Sequence, residues 1–338
     1  MTNAPLVSVI IPTWNRCTYL AETIDSVLAQ DHPAVEVIVV NDGSTDATAE
    51  SLARYEGKIT AIHQPNSGQG AAVNRGFAAA RGEYLTLVSD DDPLLSGALS
   101  QLVDALECER GALVAYPDWA IIDSEGARTA LITGFEYSLV DMARHHLCYP
   151  GPCTLFRRGV LDLVGGWDTK WRWVADFDFW LRIGLHGPMV RVPKVLATWR
   201  RHDEAATRAA PRLAMAREQV AVIEAFFART DLPPEVRAVE REAVASAWAV
   251  AAVIALEGLE PLGVPRFRVS DRLSHYVERP LPVMRTRNTE QLASRLEELE
   301  ALVQTHANDR ATMRRHIEVL ERHLALFGVY PGEVNVDE

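Results

Sequence analysis

Three short runs hold the residues of this chain best suited to chemistry: Pro12-Thr13-Trp14-Asn15-Arg16, Asn41-Asp42-Gly43-Ser44-Thr45-Asp46 and Ser89-Asp90-Asp91-Asp92-Pro93. Each follows an apolar, β-branched segment, as the end of a strand would. Taken singly, each run is ordinary turn chemistry. Three polar strand ends on one edge of one sheet are a different matter, because open α/β sheets bind ligands at that edge. Adjacent carboxylates repel, so Asp90-Asp91-Asp92 costs stability unless a cation balances it. Strand alternation sends Asp90 and Asp92 to one side and Asp91 to the other. Oxygen ligands of this kind suit Mg²⁺ or Mn²⁺; the alternative is a solvated acidic turn or helix start.

Three further segments carry functional residue types. His63–Gly76 reads HQPNSGQGAAVNRG. Its Gly68-x-Gly70 precedes a helix, but Val73 stands where a dinucleotide loop needs its third glycine and this is not the first βα turn, which argues against NAD. Val174–Arg182 reads VADFDFWLR, with Asp176 a fair N-cap. Trp167, Trp171 and Trp173 precede it and offer faces for stacking on sugar rings or for packing a second layer. Trp199-Arg200-Arg201-His202 closes a strand, where His202 could reach a metal or a diphosphate, or be a buried structural histidine.

The elements that must position these groups follow from periodicity. Short apolar runs predict strands at 6–12, 35–40, 58–63, 84–88 and 112–116. Helical spacing predicts helices over 18–30, 46–55, 70–81 and 95–108. Continuous apolar strands alternating with helices mean a mostly parallel sheet covered on both faces. Residues 117–200 read as irregular and aromatic. From about Glu204 the chain reads as helical, with breaks at Pro233–Pro234 and between Pro261 and Pro282.

The 338 residues suggest two domains, or one large domain with an extension. With 48% hydrophobic and 24% charged residues, the composition is that of an ordinary globular protein. A net charge of −12 makes general nucleic-acid binding a poor fit. The scattered Cys17, Cys108, Cys148 and Cys153 are expected to be reduced thiols. The start MTNAPLVSVIIPTWN lacks a basic leader, so no signal peptide is expected. The longest apolar stretch, Ala243–Leu256, falls short of the ~20 residues a spanning helix needs. The expected location is the cytoplasm, with attachment to an inner membrane face left open.

Near the end, Leu292, Leu296, Leu299, Val303, His306, Arg310, Met313, Ile317, Leu320, Leu324 and Phe327 alternate spacings of four and three. That is a coiled-coil seam, from which a homodimer is expected, with packing back on the same chain as the rival.

Taken together, VSVIIPTWNR, VIVVNDGSTD, NSGQGAAVNRG, SDDD, GGWD with ADFDFWLR, and LATWRRH resemble glycosyltransferase family 2 in order and spacing, over about residues 6–203. The resemblance implies an A-type glycosyltransferase fold: a Rossmann-like nucleotide-sugar-binding domain with a mostly parallel sheet, followed here by a helical C-terminal region with a coiled coil. Domain limits are expected at 1–203 (a nucleotide-binding half to about 115, then an acceptor half), 204–287 helical, 288–328 coiled coil and 329–338 tail. The resemblance puts Pro12, Thr13, Asn15 and Asp42 around the base, and Asn66, Gly68 and Asn74 on the base and ribose side. It puts Asp91 at ribose or diphosphate, and Asp92 with His202 at a divalent metal, Mn²⁺ or Mg²⁺. Asp176 is the implied catalytic base, and Trp167, Trp171 and Trp173 are candidate sugar contacts.

Three departures stand out. The family's acidic pair reads Ala175-Asp176, Val73 replaces an Arg, and Ser89 replaces the first acid of the metal motif. The implied activity is inverting transfer from a nucleoside-diphosphate sugar, UDP by default, to an acceptor hydroxyl. No QxxRW follows the base, which argues against a processive synthase. A sugar-nucleotide nucleotidyltransferase lacks support because its Gly-rich N-terminal loop is missing. A non-catalytic nucleotide-sugar-binding or scaffold protein is the alternative.

Overall fold

The computed structural model describes residues 4–202 and 212–251, apart from 245 and 248–250. The seam at 292–327, the Pro261–Pro282 break and the expected boundary near 204 lie outside the described residues.

Within residues 4–142 and 148–202, strand and helix alternate as the periodicity requires: β1 (Val7–Thr13), α1 (Cys17–Leu28), β2 (Val35–Asp42), α2 (Thr48–Ala53), β3 (Thr60–Gln64), α3 (Gln69–Ala79), β4 (Tyr84–Leu87) and α4 (Ala98–Cys108). The less regular second half supplies β5 (Val114–Ile122), β6 (Arg128–Ile132), α5 (Leu139–His145), β7 (Leu155–Arg157), α6 (Val160–Val164), α7 (Ala175–Gly184) and β8 (Met189–Arg200). One eight-stranded sheet runs β3-β2-β1-β4-β7-β5-β6, with β8 also paired to β5.

Strands β1 to β4 are mutually parallel. β7 is antiparallel to both β4 and β5, and β8 is parallel to β5. The carboxyl ends of β1, β2, β4, β5 and β8 therefore share one edge. β6 turns back antiparallel to β5. The sheet is thus mixed rather than uniformly parallel: β6 returns through the 123–127 turn, and β7 is the short strand that joins the two parallel blocks.

Both faces are covered. Val7, Val9 and Ile11 pack with Val37 and Val39 of β2 and with Leu20, Ile24, Leu52, Leu99 and Leu102 of α1, α2 and α4. The intervening Ile10 and Ile38 are buried too. On their side, Gly76 of α3 lies so close to Ile10 that a Cβ there would meet its Cγ2 at 2.3 Å. Such burial on both faces is why these strands read as unbroken apolar runs.

The described part of the second unit contains 143–147, α8 (Arg212–Phe227) and α9 (Pro234–Arg237). Within it Arg144 Nε lies 3.2 Å from Glu242 Oε2, and the His146 ring is 2.9 Å from the Ala243 carbonyl. No helix among the described residues is long and apolar enough to cross a membrane.

Candidate active site

The loops after β1 and β2 are tied to one another. Asn15 is in the left-handed region (φ 53°), its N–H donates to Ser44 Oγ at 2.9 Å, and its Oδ1 accepts from the Thr45 N–H at 2.8 Å. Asp46 accepts from the N–H groups of Cys17 and Thr48, so one carboxylate serves the starts of α1 and α2. Burial opposes its ionisation, but hydrogen bonds from Thr48 and Cys17 hold Asp46 below the ordinary carboxylate value.

Asp42, buried at the end of β2, accepts from Gln64 Nε2, the Ser67 N–H and the Gly68 N–H, each at 2.8 Å. It thereby fixes the loop that carries Asn66. That loop crosses Gly43 (φ 71°), where a Cβ would sit 2.6 Å from the Asn66 nitrogen, which is why glycine is needed.

β4 ends at Leu87, and the chain turns at once, with the Asp92 N–H donating to the Ser89 carbonyl at 3.2 Å. Strand alternation therefore does not govern the three aspartates. All three are buried, at 9%, 9% and 4% exposure for Asp90, Asp91 and Asp92, rather than solvated on opposite faces. Asp90 lies 3.9 Å from Arg16 Nε. Burial and the neighbouring Asp91 push its carboxyl up to about 7, and the same two causes raise Asp92 well above the usual range. The three carboxyls thus crowd one buried turn.

The end of β8 runs along this turn. The Leu95 N–H donates to the Leu196 carbonyl, Thr198 Oγ1 to the Pro93 carbonyl at 2.6 Å, and the Arg200 N–H to Asp92 Oδ1 at 2.7 Å. His202 Nε2 is 2.8 Å from Asp91 Oδ2, and both side chains are buried. His202 thus pairs with Asp91 and not directly with Asp92.

The segment before α7 is anchored to α3. Both ends of the Asn74 amide are used on one residue: Nδ2 donates to the Trp167 carbonyl and Oδ1 accepts from the Trp167 N–H, each at 2.8 Å. Gly166 has to be glycine, because a Cβ would lie 2.1 Å from Asn74 Oδ1. Thr169 approaches Gly70 at the start of α3, 3.6 Å from where a Cβ would stand, which brings this segment to the carboxyl edge of the sheet.

α7 starts at Ala175 with Val174 in the N-cap position, so Asp176 is one residue inside the helix and not its cap. Asp176 Oδ1 accepts the Phe177 N–H at 2.8 Å. Burial raises its carboxyl above the ordinary value. Ala175 is itself 4% exposed, so an acid at that position would be desolvated. Trp167 and Trp171 are half-buried, and their indole N–H groups have no partner among the described residues. Lys170 lies over Trp171 at 4.5 Å and Arg172 over Trp173 at 4.8 Å.

Two residues of this region carried no role in the sequence. Trp14 is 53% exposed where β1 ends, an aromatic face left open among buried neighbours. Arg200, 2% exposed, is the largest of the fully buried side chains. An aromatic between Thr13 and Asn15 was a signal for the first. Nothing local distinguishes Arg200 from Arg201.

The sequence model for "Glycosyl transferase family 2" matches residues 8–165. The chain is 30% identical over 216 residues to the uncharacterized glycosyltransferase RT0329 of Rickettsia typhi, covering 62% of this chain and 68% of that protein. This chain belongs to glycosyltransferase family 2. A second relative, the uncharacterized glycosyltransferase alr2836 of Nostoc, is 32% identical over 58% of this chain and 65% of its own length. The chain therefore spans about two thirds of the length of these two relatives.

Among solved structures, TarS 1-349 of S. aureus in complex with UDP-GlcNAc superposes with a TM-score of 0.61 at 19% identity, covering 98% of this chain and 95% of that one. The mannosyltransferase PcManGT of Pyrobaculum calidifontis, in complex with GDP-Man and Mn²⁺, gives 0.57 at 16% identity over 94% and 86%. At these identities the likeness is one of fold, the A-type glycosyltransferase fold.

Proposed function

We propose that this family 2 glycosyltransferase moves a sugar from a nucleoside-diphosphate donor to an acceptor hydroxyl with inversion, one residue per encounter. The observation that carries the proposal is the pairing of two unlike acidic features at one sheet edge. One is a lone half-buried carboxylate at a helix start, Asp176. The other is a crowded, desolvated cluster at Asp90–Asp92.

The residues fit a divalent cation. Burial and mutual repulsion drive Asp90 and Asp92 toward protonation, the situation a cation relieves. Asp92 and His202, the latter held beside the turn by Asp91, are the groups that would hold it. Among the described residues no group of three or more His, Cys, Asp or Glu is placed to hold a metal ion, so the protein would supply at most two ligands, with substrate phosphates and water as the others. When bound, the ion neutralises charge on the departing nucleoside diphosphate.

The chain's own residues do the rest. The loops of Thr13, Asn15, Asp42 and Asn66 form the base side, with the open face of Trp14 available for stacking on the base. Asn74 ties the Trp167 segment to α3, and its second amide N–H and remaining oxygen lone pair are what it would offer the ribose side. Asp176 accepts the proton of the acceptor hydroxyl, whose oxygen attacks the anomeric carbon as the bond to the diphosphate breaks on the opposite face. The Trp167–Trp173 segment, held to α3 and leading into α7, is where acceptor or sugar rings would meet indole faces. UDP is the first nucleotide to test, in line with the UDP-GlcNAc complex of TarS, and GDP the second, in line with the GDP-Man complex of PcManGT.

The test is turnover of a panel of UDP-, GDP- and dTDP-sugars with Mn²⁺ and with chelator, in wild type and Asp176→Asn. Metal-dependent release of nucleoside diphosphate in wild type alone supports the proposal. Binding with no turnover by any donor, in the presence of varied acceptors, would favour a scaffold role.

A further inference from the structure

We propose that Arg200 is the positioning residue of the Asp91–Asp92 turn: it holds both aspartates ready for the metal and diphosphate without touching either ligand. This rests on the donor-site reading above.

A cationic side chain in a glycosyltransferase site invites a simpler role, direct contact with the diphosphate. The geometry argues against it. Arg200 is 2% exposed, and four of its five N–H donors have partners within the protein. Nε donates to the Asp91 carbonyl at 2.9 Å. Nη1 reaches the carbonyls of Asp123 and Ser124 at 3.2 and 3.1 Å, and Nη2 donates to Glu22 Oε2 at 2.6 Å. The guanidinium also lies 4.8 Å from the ring centroid of Tyr19. A group so enclosed has no face to offer a phosphate.

What it does reach is the carboxylate turn, at two points. Its backbone N–H takes Asp92 Oδ1 while its Nε takes the Asp91 carbonyl, so side chain and main chain of the turn are gripped by one residue. Two residues on, His202 holds Asp91 Oδ2 and packs on the same Tyr19 ring, with centroids 4.8 Å apart. Arg200 thus links the turn to α1 through Glu22 and to the β5–β6 turn through Asp123 and Ser124. Its buried charge also offsets part of the negative charge of the cluster. A planar fork is required for donation in three directions, and the point charge of lysine cannot reproduce it. Such supports of metal-binding groups matter about 10–100-fold to metal affinity when lost.

Glu22 gives a test with little risk to the fold, because its carboxylate is exposed and touches neither aspartate. Isothermal titration would follow binding of UDP, GDP and dTDP with Mn²⁺ to the full chain as wild type, Arg200→Lys, Glu22→Gln and the double variant, with circular dichroism melts alongside. We expect folded Arg200→Lys to bind about 10–100-fold more weakly. Glu22→Gln should weaken binding in the same direction but less, and should add nothing in the Arg200→Lys background, the non-additivity of residues acting in one chain. A purely structural role would lower the melts and leave affinity in the folded variants unchanged, which overturns the inference. If Arg200→Lys does not fold, Glu22→Gln decides alone, and unchanged affinity there overturns it. If wild type binds none of the three nucleotides, the donor reading fails separately. Mn²⁺ binding without nucleotide, followed by electron paramagnetic resonance, then tests Arg200 directly: loss in the variants upholds the inference, and equal behaviour overturns it.

Discussion

At the scale of single residues, the proposed base sets the sharpest expectation. Asp176→Asn keeps the shape of the side chain and its acceptor oxygen for the Phe177 N–H, but cannot take a proton. Transfer should fall by about 10²–10⁴-fold with donor binding retained, the range general base catalysis supplies. Transfer close to wild type would remove Asp176 from the mechanism. A base works only when ionised, and burial raises this carboxyl above 3.8. The acid limb of the rate profile should therefore lie above that of an exposed aspartate and disappear in Asp176→Asn. A limb at or below the ordinary aspartate range, measured at saturating donor, would contradict that. Asp91 and Asp92 were legible in the sequence because adjacent carboxylates at a strand end are costly, whereas Asp176 read there as a helix-start acid and its role as base came from the resemblance. Arg200 was not, because its meaning comes from partners such as Glu22, 178 residues away in the chain. Asn74 was named only through the family resemblance, and its attachment to Trp167, 93 residues away, belongs to the tertiary structure.

At the scale of elements, β1 to α4 follow the periodicity within a few residues, because burial on both faces leaves continuous apolar strands and clear helical stripes. The second half was harder. β6 is exposed along most of its length, β7 has three residues, and β5 past residue 116 and β8 at 189–200 both fall in the 117–200 stretch that reads as irregular. The end of β4 was misjudged in one respect: the chain turns after Leu87, and a turn, not a pleat, orients the aspartates. The loops that complete the site depend on clamps between elements, and these can be tested. Asn74→Ala would leave the N–H and carbonyl of Trp167 without their protein partners and free the segment leading into α7. A loss of roughly 1–3 kcal/mol is expected for such groups where water cannot replace the partner. Transfer should also fall while nucleotide binding, seated on the β1 and β2 loops, persists. Equal loss of both would mean that Asn74 acts on the donor side. Gly43→Ala should do the reverse, weakening nucleotide binding first, since its Cβ would displace the Asn66 backbone.

At the scale of the whole molecule, the family 2 fold is followed by a C-terminal segment with its own sequence pattern. The family match ends at residue 165, and the seam from Leu292 to Phe327 has nine apolar positions out of eleven. Left in water along one helix, such a stripe would form an apolar patch too large to stay uncovered. Three coverings compete: the same segment of a second chain, the chain's own helical region, or a membrane surface. Between Asn288 and Phe327 there are seven acidic and five basic residues, a balance that does not favour an anionic membrane. His306 and Arg310 interrupt the seam at successive positions, and polar residues there can fix register and oligomer state at some cost in stability. We propose a homodimer, which would cover the stripe and use the interruption; deletion after Thr286 should then convert a dimer to a monomer in light scattering. The proposed donor site uses only residues within 4–202, so the truncated chain should bind nucleoside diphosphate with Mn²⁺ as the full chain does. Full-length protein already monomeric at micromolar concentration would instead place the stripe against its own chain. Replacing His306 and Arg310 together with leucine should then raise the melting temperature without changing the mass.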